Sequence, residues 1–306
     1  NHSINSGDIF ESFSQYSLST SLKGASYKYY NKNDNLPDVT LVFGYAYPRW
    51  DSFVRATNAR TIQRIGYGIN VKHDLTPNFT TGFSFLRSQD DERMSDSDTL
   101  YDNNVYALDY EYKPITGLTI RGESAFSHTM DELSSTSTER DYFGHAHRIE
   151  AIANGGPSRV NLEFERVSPH FTTFLGSASQ DREKAKFRWK YKINKNMTAT
   201  TGFMWFMNGL NNDDKRSQTY KPEFSLNIKK LFNRKYSDAD ISYKFDRKTS
   251  KSSRSFDHFL NFDYRDRIGF LDSSNSFGIT TYNTNDNGRD TLEYVLNTSL
   301  SSRHTV

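Results

Sequence analysis

His145 and His147 stand two residues apart. On a strand such a pair projects to one side, where two imidazole nitrogens can share a metal ion, but no convergent carboxylate accompanies them. Histidines at a loop edge are the simpler reading. His128, His170 and His258 each have a hydroxyl or an acid nearby, yet a Ser/His/Asp triad depends on geometry that spacing does not supply. Asp90, Asp91, Glu92, Asp96 and Asp98 crowd the stretch from Ser88 to Tyr101. Carboxylates at that density can hold a hard cation such as calcium, but the EF-hand spacing is not met and a solvated loop accounts for them. Lys229, Lys230, Arg234 and Lys235 cluster beside Leu231 and Phe232, which suits either lipid headgroup phosphates or a solvated turn. Gly66-Tyr67-Gly68 is no nucleotide loop, because its glycines sit inside a strand pattern. The run Phe164-Glu165-Arg166-Val167-Ser168-Pro169-His170-Phe171, followed by Gly176 and Asp181-Arg182-Glu183, has the texture of a motif. The expectation is a protein that is not an enzyme, with no catalytic residues, no metal site and no cofactor.

Composition narrows the class further. The 306 residues contain no cysteine, which removes disulfides, thiolate zinc sites and Cys nucleophiles. Charged residues make up 25% and hydrophobic residues only 35%, yet 23 Phe, 19 Tyr and 3 Trp are far more aromatic rings than disordered chains carry. No stretch approaches the ~18 uninterrupted apolar residues of a membrane helix. A formal net charge of +2 gives no electrostatic case for nucleic acid as a partner. The sequence opens at Asn1 without a basic-then-apolar leader, which fits a cytosolic protein or an exported one after trimming.

Period-two alternation runs from one end of the chain to the other. Ala185, Phe187, Trp189, Tyr191 and Ile193 interleave with Lys186, Arg188, Lys190 and Lys192. A helix would scatter those four cations, whereas a strand puts them all on one face. Ile65, Tyr67, Ile69 and Val71 alternate in the same way with Arg64, Gly66, Gly68, Asn70 and Lys72. Tyr106 to Tyr112, Val160 to Glu165, Tyr220 to Lys229, Ala239 to Asp246 and Leu260 to Arg265 repeat the pattern. The texture does not change along the chain, so residues 1–306 read as a single all-β domain.

Connections alternate too. Asp74 to Asn78, Lys113 to Gly117, Asn154 to Pro157 and Asn194 to Asn196 are short. Ala46 to Thr61, Ser88 to Asn103, Ser127 to Gly144, Ser168 to Glu183 and Asn208 to Ser217 are long and polar. The stretch Lys23 to Asp38 breaks the rhythm, so either a strand lies around Ser26 to Tyr30 or the first strand is misplaced. At about 20 residues per strand and connection, the chain holds roughly 14–16 strands. Several exceed the ~5–6 residues of globular strands and match the ~9–11 that cross a bilayer. Tyr45, Tyr47, Trp50, Phe79 and Tyr112 gather near strand ends, where an amphipathic ring meets a membrane interface. The predicted fold is a closed antiparallel up-and-down transmembrane β-barrel; a soluble β-protein is the competing reading.

These features resemble Gram-negative outer-membrane β-barrel proteins, broadly porin-like. The resemblance covers nearly the whole chain and is architectural, and the terminal run Leu300 to Val306 departs from the aromatic-ended last strand of such barrels. It implies an integral outer-membrane location, outer-membrane lipid as a partner, and a channel for passive diffusion of small hydrophilic solutes or ions. The alternative function is a structural barrel that anchors or houses a lipoprotein, a secreted fibre or a redox protein. Because a cation at the midplane of a barrel's lipid face costs ~2–4 kcal/mol, the charged rows are expected to line the lumen. Those residues are Lys186, Arg188, Lys190 and Lys192, with Glu163 and Glu165 facing them, and further Arg121, Glu123, Asp240, Lys244, Asp263 and Arg265.

Overall fold

The computed structural model describes residues 1–31, 36–46, 64–91, 99–133, 138–268, 271–284 and 289–302. The first eight strands are β1 (His2–Ile9), β2 (Leu22–Tyr29), β3 (Asp38–Ala46), β4 (Arg64–Thr76), β5 (Phe79–Asp90), β6 (Thr99–Ile115), β7 (Leu118–Leu133) and β8 (Thr138–Gly155). The second eight are β9 (Ser158–Val167), β10 (Arg182–Lys192), β11 (Met197–Asn208), β12 (Ser217–Lys229), β13 (Asp238–Ser250), β14 (Arg254–Ile268), β15 (Leu271–Thr284) and β16 (Arg289–Ser302). They form one antiparallel up-and-down sheet in which each strand bonds to its sequence neighbours, in the order β1 to β16. Among the described residues the only helix is a 3-10 turn at Leu231–Asn233.

The broken rhythm near the start has a simple cause. A strand does run through Ser26 to Tyr29, and it pairs with β1, Asn5 lying opposite Ser26. The long element is therefore the connection before it, residues 10–21. A correction falls on the loop expected from Ser127 to Gly144: β7 continues to Leu133 and β8 begins at Thr138. Small polar side chains such as Ser127 and Thr129 keep the alternation going there, so polarity alone was a poor mark of loop. Most of Ala46 to Thr61, including Tyr47 and Trp50, and Glu92, Asp96 and Asp98 lie outside the described residues.

Two-residue turns close several hairpins, as at Pro77–Asn78 and Thr116–Gly117. Gly117 takes φ of 87°, a left-handed conformation that only glycine adopts without steric cost.

By contacts the chain divides into two compact units, residues 1–149 with 165–182 and residues 150–164 with 183–306. In the first unit, cross-strand register separates the faces. Val42 lies opposite Gly68, Gly68 opposite Leu86, Leu86 opposite Val105, and Val105 opposite Ser127. Phe85, Tyr106 and Phe126 align on the other face, with the Phe85 and Tyr106 rings 5.0 Å apart. That second face is bare: Phe43 is 54% exposed, Leu108 54% and Phe126 59%. In the second unit Asn227, Asp240 and Asp263 share one face, and Leu226, Ile241, Phe262 and Phe277 the other. Exposed Phe224, Tyr243, Leu260 and Phe262 again mark the apolar side.

Candidate functional site: two segments seated on the polar face

The three largest fully buried side chains of the first unit, Tyr16, Phe171 and Leu18, do not come from strands. Tyr16, Leu18, Phe171 and Leu175 have no exposure, and all four lie in residues 10–21 or 168–181. Leu18 and Leu175 pack with Ile9, Leu22, Val42, Ala46 and Leu86. Tyr16 and Phe171 pack with Val105, Ala107, Ala125, Ala146 and Val167, their rings meeting edge to face at 5.6 Å. Such a ring pair contributes about 0.5–1.5 kcal/mol beyond its area burial. The segments are also stitched to each other. Ser19 N donates to Leu175 O at 2.8 Å, and Ser177 N donates to Gln15 O at 2.8 Å.

Close seating requires small residues beneath. A Cβ on Gly144 would come within 2.1 Å of the Phe171 Cα, and one on Gly66 within 2.4 Å of a Leu175 methyl. Ser84, Ala107, Ala125 and Ala146 extend this shallow floor and are themselves buried.

Polar groups fix the segments where apolar contact does not. The Tyr16 hydroxyl donates to Glu165 Oε1 at 2.9 Å, and Gln15 Nε2 donates to the same oxygen at 3.0 Å. Tyr16 N donates to Glu123 Oε1 at 3.0 Å, and Arg148 donates to the Gln15 side-chain oxygen at 2.9 Å. On the second segment, Thr172 N donates to Ser127 Oγ, and Asn103 donates to Thr172 O at 2.9 Å. Arg64 lies 3.7 Å from the Phe174 ring centre while its Nε reaches Asp90 at 2.7 Å. Burial and the nearby Glu165 and Glu123 carboxylates raise the Tyr16 phenol above its ordinary value, so it stays neutral and keeps donating.

The motif-like run is thereby accounted for. Glu165 anchors Tyr16; Val167 and Phe171 enter the buried cluster; Ser168 Oγ accepts from His145 N at 2.9 Å. Gly176 passes the Tyr16 carbonyl where a Cβ would lie 2.6 Å away, and Asp181 turns the chain into β10 with φ of 55°.

The polar face of the second unit is open. Lys186, Arg188, Lys221, Glu223, Lys244 and Asp246 line a cavity of about 570 Å³, in which Lys221 pairs with Asp246. Lys190, Lys192, Lys195 and Lys229 line another of about 430 Å³. Glu163 pairs with Lys184 at 2.9 Å and lies 3.7 Å from Lys186.

The residues singled out by sequence are dispersed accordingly. Glu163 meets the β10 cations, whereas Glu165 turns to Tyr16 and Gln15. Arg121 pairs with Glu111 at 2.7 Å, and Glu123 accepts from Tyr16. Asp240 accepts from Asn227 at 2.6 Å and stands opposite Asp263, while Arg265 stands opposite Asp238. His128 meets Asp141 at 3.0 Å and stacks on Phe143; His258 meets the Tyr243 hydroxyl at 2.9 Å. The His145 and His147 rings are 5.4 Å apart, and among the described residues no group of three or more His, Asp or Glu is arranged to hold a metal ion. The basic cluster is split, Arg234 pairing with buried Asp266 and Lys229 joining the lysine-lined cavity. Sequence reasoning passed over residues 10–21 entirely. The signal was the floor: glycine, alanine and serine recur on the polar face of β4 to β8 where a watery wall would carry longer side chains.

No protein-family model matches the chain, and no curated protein matches it.

Proposed function

We propose that this chain is an integral outer-membrane β-barrel that passes small hydrophilic solutes, in which the sheet of sixteen strands closes by pairing of its two end strands, β1 and β16, and the polar face forms the lumen. The observation that carries this reading is the inversion of the two faces. A soluble sandwich buries its aromatic face, but here Phe43, Leu108, Phe126 and Phe224 stand exposed while the opposite face carries ions and the seated segments. A row of bare aromatics running across so many strands is an apolar surface of the kind that marks contact with lipid or a partner rather than with water. Lipid is the solvent that accommodates it. In that reading residues 10–21 and 168–181 cover the polar face of the first unit, and the charged cavities on the polar face of the second unit leave room for water and solute.

Two measurements test it. Unboiled protein should migrate differently from boiled protein on a detergent gel, since a closed hydrogen-bonded ladder resists detergent unfolding. In a planar bilayer the purified protein should give steady open conductance. A silent barrel that still shifts on heating would leave the scaffold that houses a partner; no shift would sink the closed barrel.

A further inference from the structure

The cavity at the β10–β11 turn differs in kind from its neighbour. Its four cations come from the strand β10 (Lys190, Lys192), the turn (Lys195) and the end of β12 (Lys229), and no carboxylate lines it. Local structure holds them together. The Asn194 side-chain oxygen accepts from Asn196 N at 2.8 Å and Met197 N at 2.9 Å, which sets the turn and puts Lys195 at its tip. Lys229 N donates to Asn196 O at 2.7 Å, which ties the end of β12 to the same turn.

Two acids of the adjoining strand β13 accept hydrogen bonds from other groups. Asp240 accepts from Asn227 at 2.6 Å, and Asp238, opposite Lys229 in register, accepts from Lys230 N at 3.3 Å. In the neighbouring cavity the charges largely answer one another: Lys221 pairs with Asp246, and Glu223 stands opposite Lys244. Among the described residues Lys190, Lys192, Lys195 and Lys229 make no ion pair. Lys190 and Lys192 are exposed, so their charge is offered to solvent.

Four like charges around one concavity repel each other and are relieved by a counterion. A lysine ammonium serves as a point charge for phosphate and carboxylate oxygens, and walls of one sign concentrate the opposite ion. The threonine hydroxyls of Thr198 and Thr200 add donors on the same floor. The lining side chains of Lys190 and Lys192 alternate with Trp189 and Tyr191, so the cavity lies on the polar side of the sheet, where a soluble ion reaches it.

We propose that Lys190, Lys192, Lys195 and Lys229 form a binding site for a small soluble oxyanion carrying two or more negative charges, phosphate or a polycarboxylate. This deepens the channel reading by naming its solute class and rests on that reading for its role, although binding itself requires no conduction.

The test uses the whole chain in detergent micelles, titrated calorimetrically at low ionic strength with inorganic phosphate, with citrate and with glucose. Saturable binding of phosphate or citrate, absent for glucose and weakened by added salt, is expected. The double variant Lys190→Gln, Lys229→Gln should weaken it at least tenfold, and Lys235→Gln, in the turn outside the cavity, should leave it unchanged. Tight binding of citrate with none of phosphate would assign the site to polycarboxylates, and the reverse to phosphates; either supports the proposal. Failure of both anions to saturate, or equal affinity in the double variant, overturns it. Anion binding by a barrel that proves silent in bilayers would keep the site and remove the channel.

Discussion

The Tyr16 hydroxyl donates a 2.9 Å hydrogen bond to Glu165, a residue 149 positions away, and both side chains are buried. The bond joins the segment that follows β1 to the strand that leads into residues 168–181. It fixes to the sheet the first of the two segments that cover the polar face of the first unit.

Tyr16→Phe keeps the ring and removes the donor. Gln15 still reaches Glu165, so the buried carboxylate is left partly satisfied, at a cost of about 1–3 kcal/mol. Local opening of residues 10–21 should become easier by roughly 5–150-fold. Amide exchange at Ser19 and Ser177, whose N–H groups bond across the two segments, reads this directly. Unchanged protection at both amides would show that the hydroxyl contributes nothing.

The same phenol makes the seating sensitive to alkali. Its folded value is raised above the unfolded value of ~10, first by burial and then by Glu165, so the neutral form is the one the fold holds. The contribution is complete below pH ~10 and is lost as pH rises toward and through the folded value. Protease sensitivity of residues 10–21, measured between pH 8 and 12, should therefore stay flat to about pH 10 and then climb. Tyr16→Phe should lack that climb relative to its own baseline; an identical climb in the variant would assign it to other groups.

Gly144→Val tests the close seating on the floor. The new Cβ would meet the Phe171 backbone at 2.1 Å, so residues 168–181 must lift. Gly155→Val is the control, because nothing lies within 4 Å of its Cβ position. Cleavage within 168–181 should rise at least tenfold in the first variant and stay level in the second. In a conducting barrel the unseated segment should also change single-channel conductance. Equal cleavage in the two variants would mean that the segment is not held through Gly144.

Alternation on β10 predicts two chemistries from neighbouring positions. Single cysteines at Arg188 or Lys190 should react with a charged, water-soluble thiol reagent in the folded protein. Cysteines replacing Phe187 or Trp189 should be shielded by detergent or lipid; Trp189 lies on the apolar face with its indole N–H on Ser158 Oγ at 2.8 Å. In a conducting barrel, replacing Arg188 and Lys190 by glutamine should shift ion selectivity toward cations. Labelling at 187 and 189 with protection at 188 and 190 would invert the faces and favour the soluble sandwich.

Much of this architecture is written locally. The interleaving of Phe187, Trp189 and Tyr191 with Lys186, Arg188 and Lys190 identifies a strand and both of its faces, because side chains alternate regardless of what the strand pairs with. Asn194 and Gly117 mark turns by chemistry that acts within a few residues. The antiparallel all-strand sheet was therefore legible, as was the number of strands within a narrow range. Polarity misled at Ser127 to Leu133, where serine and threonine sit in a strand and serve as a floor for another segment.

Residues 10–21 and 168–181 carry no period, so nothing in their own sequence says where they go. Their place depends on Tyr16 finding Glu165, 149 positions away, and on Phe171 finding Gly144 across an intervening strand, contacts that no local pattern encodes. The run from Phe164 to Glu183 announced itself as unusual, but its meaning needed partners that only folding brings near. The same holds for the four lysines: β10, its turn and β12 each contribute, and they become one site because Lys229 N bonds to Asn196 O. Period-two side-chain geometry is a property of a single strand and is readable there; burial of a segment and convergence of charge are properties of neighbours, and those the tertiary structure alone decided.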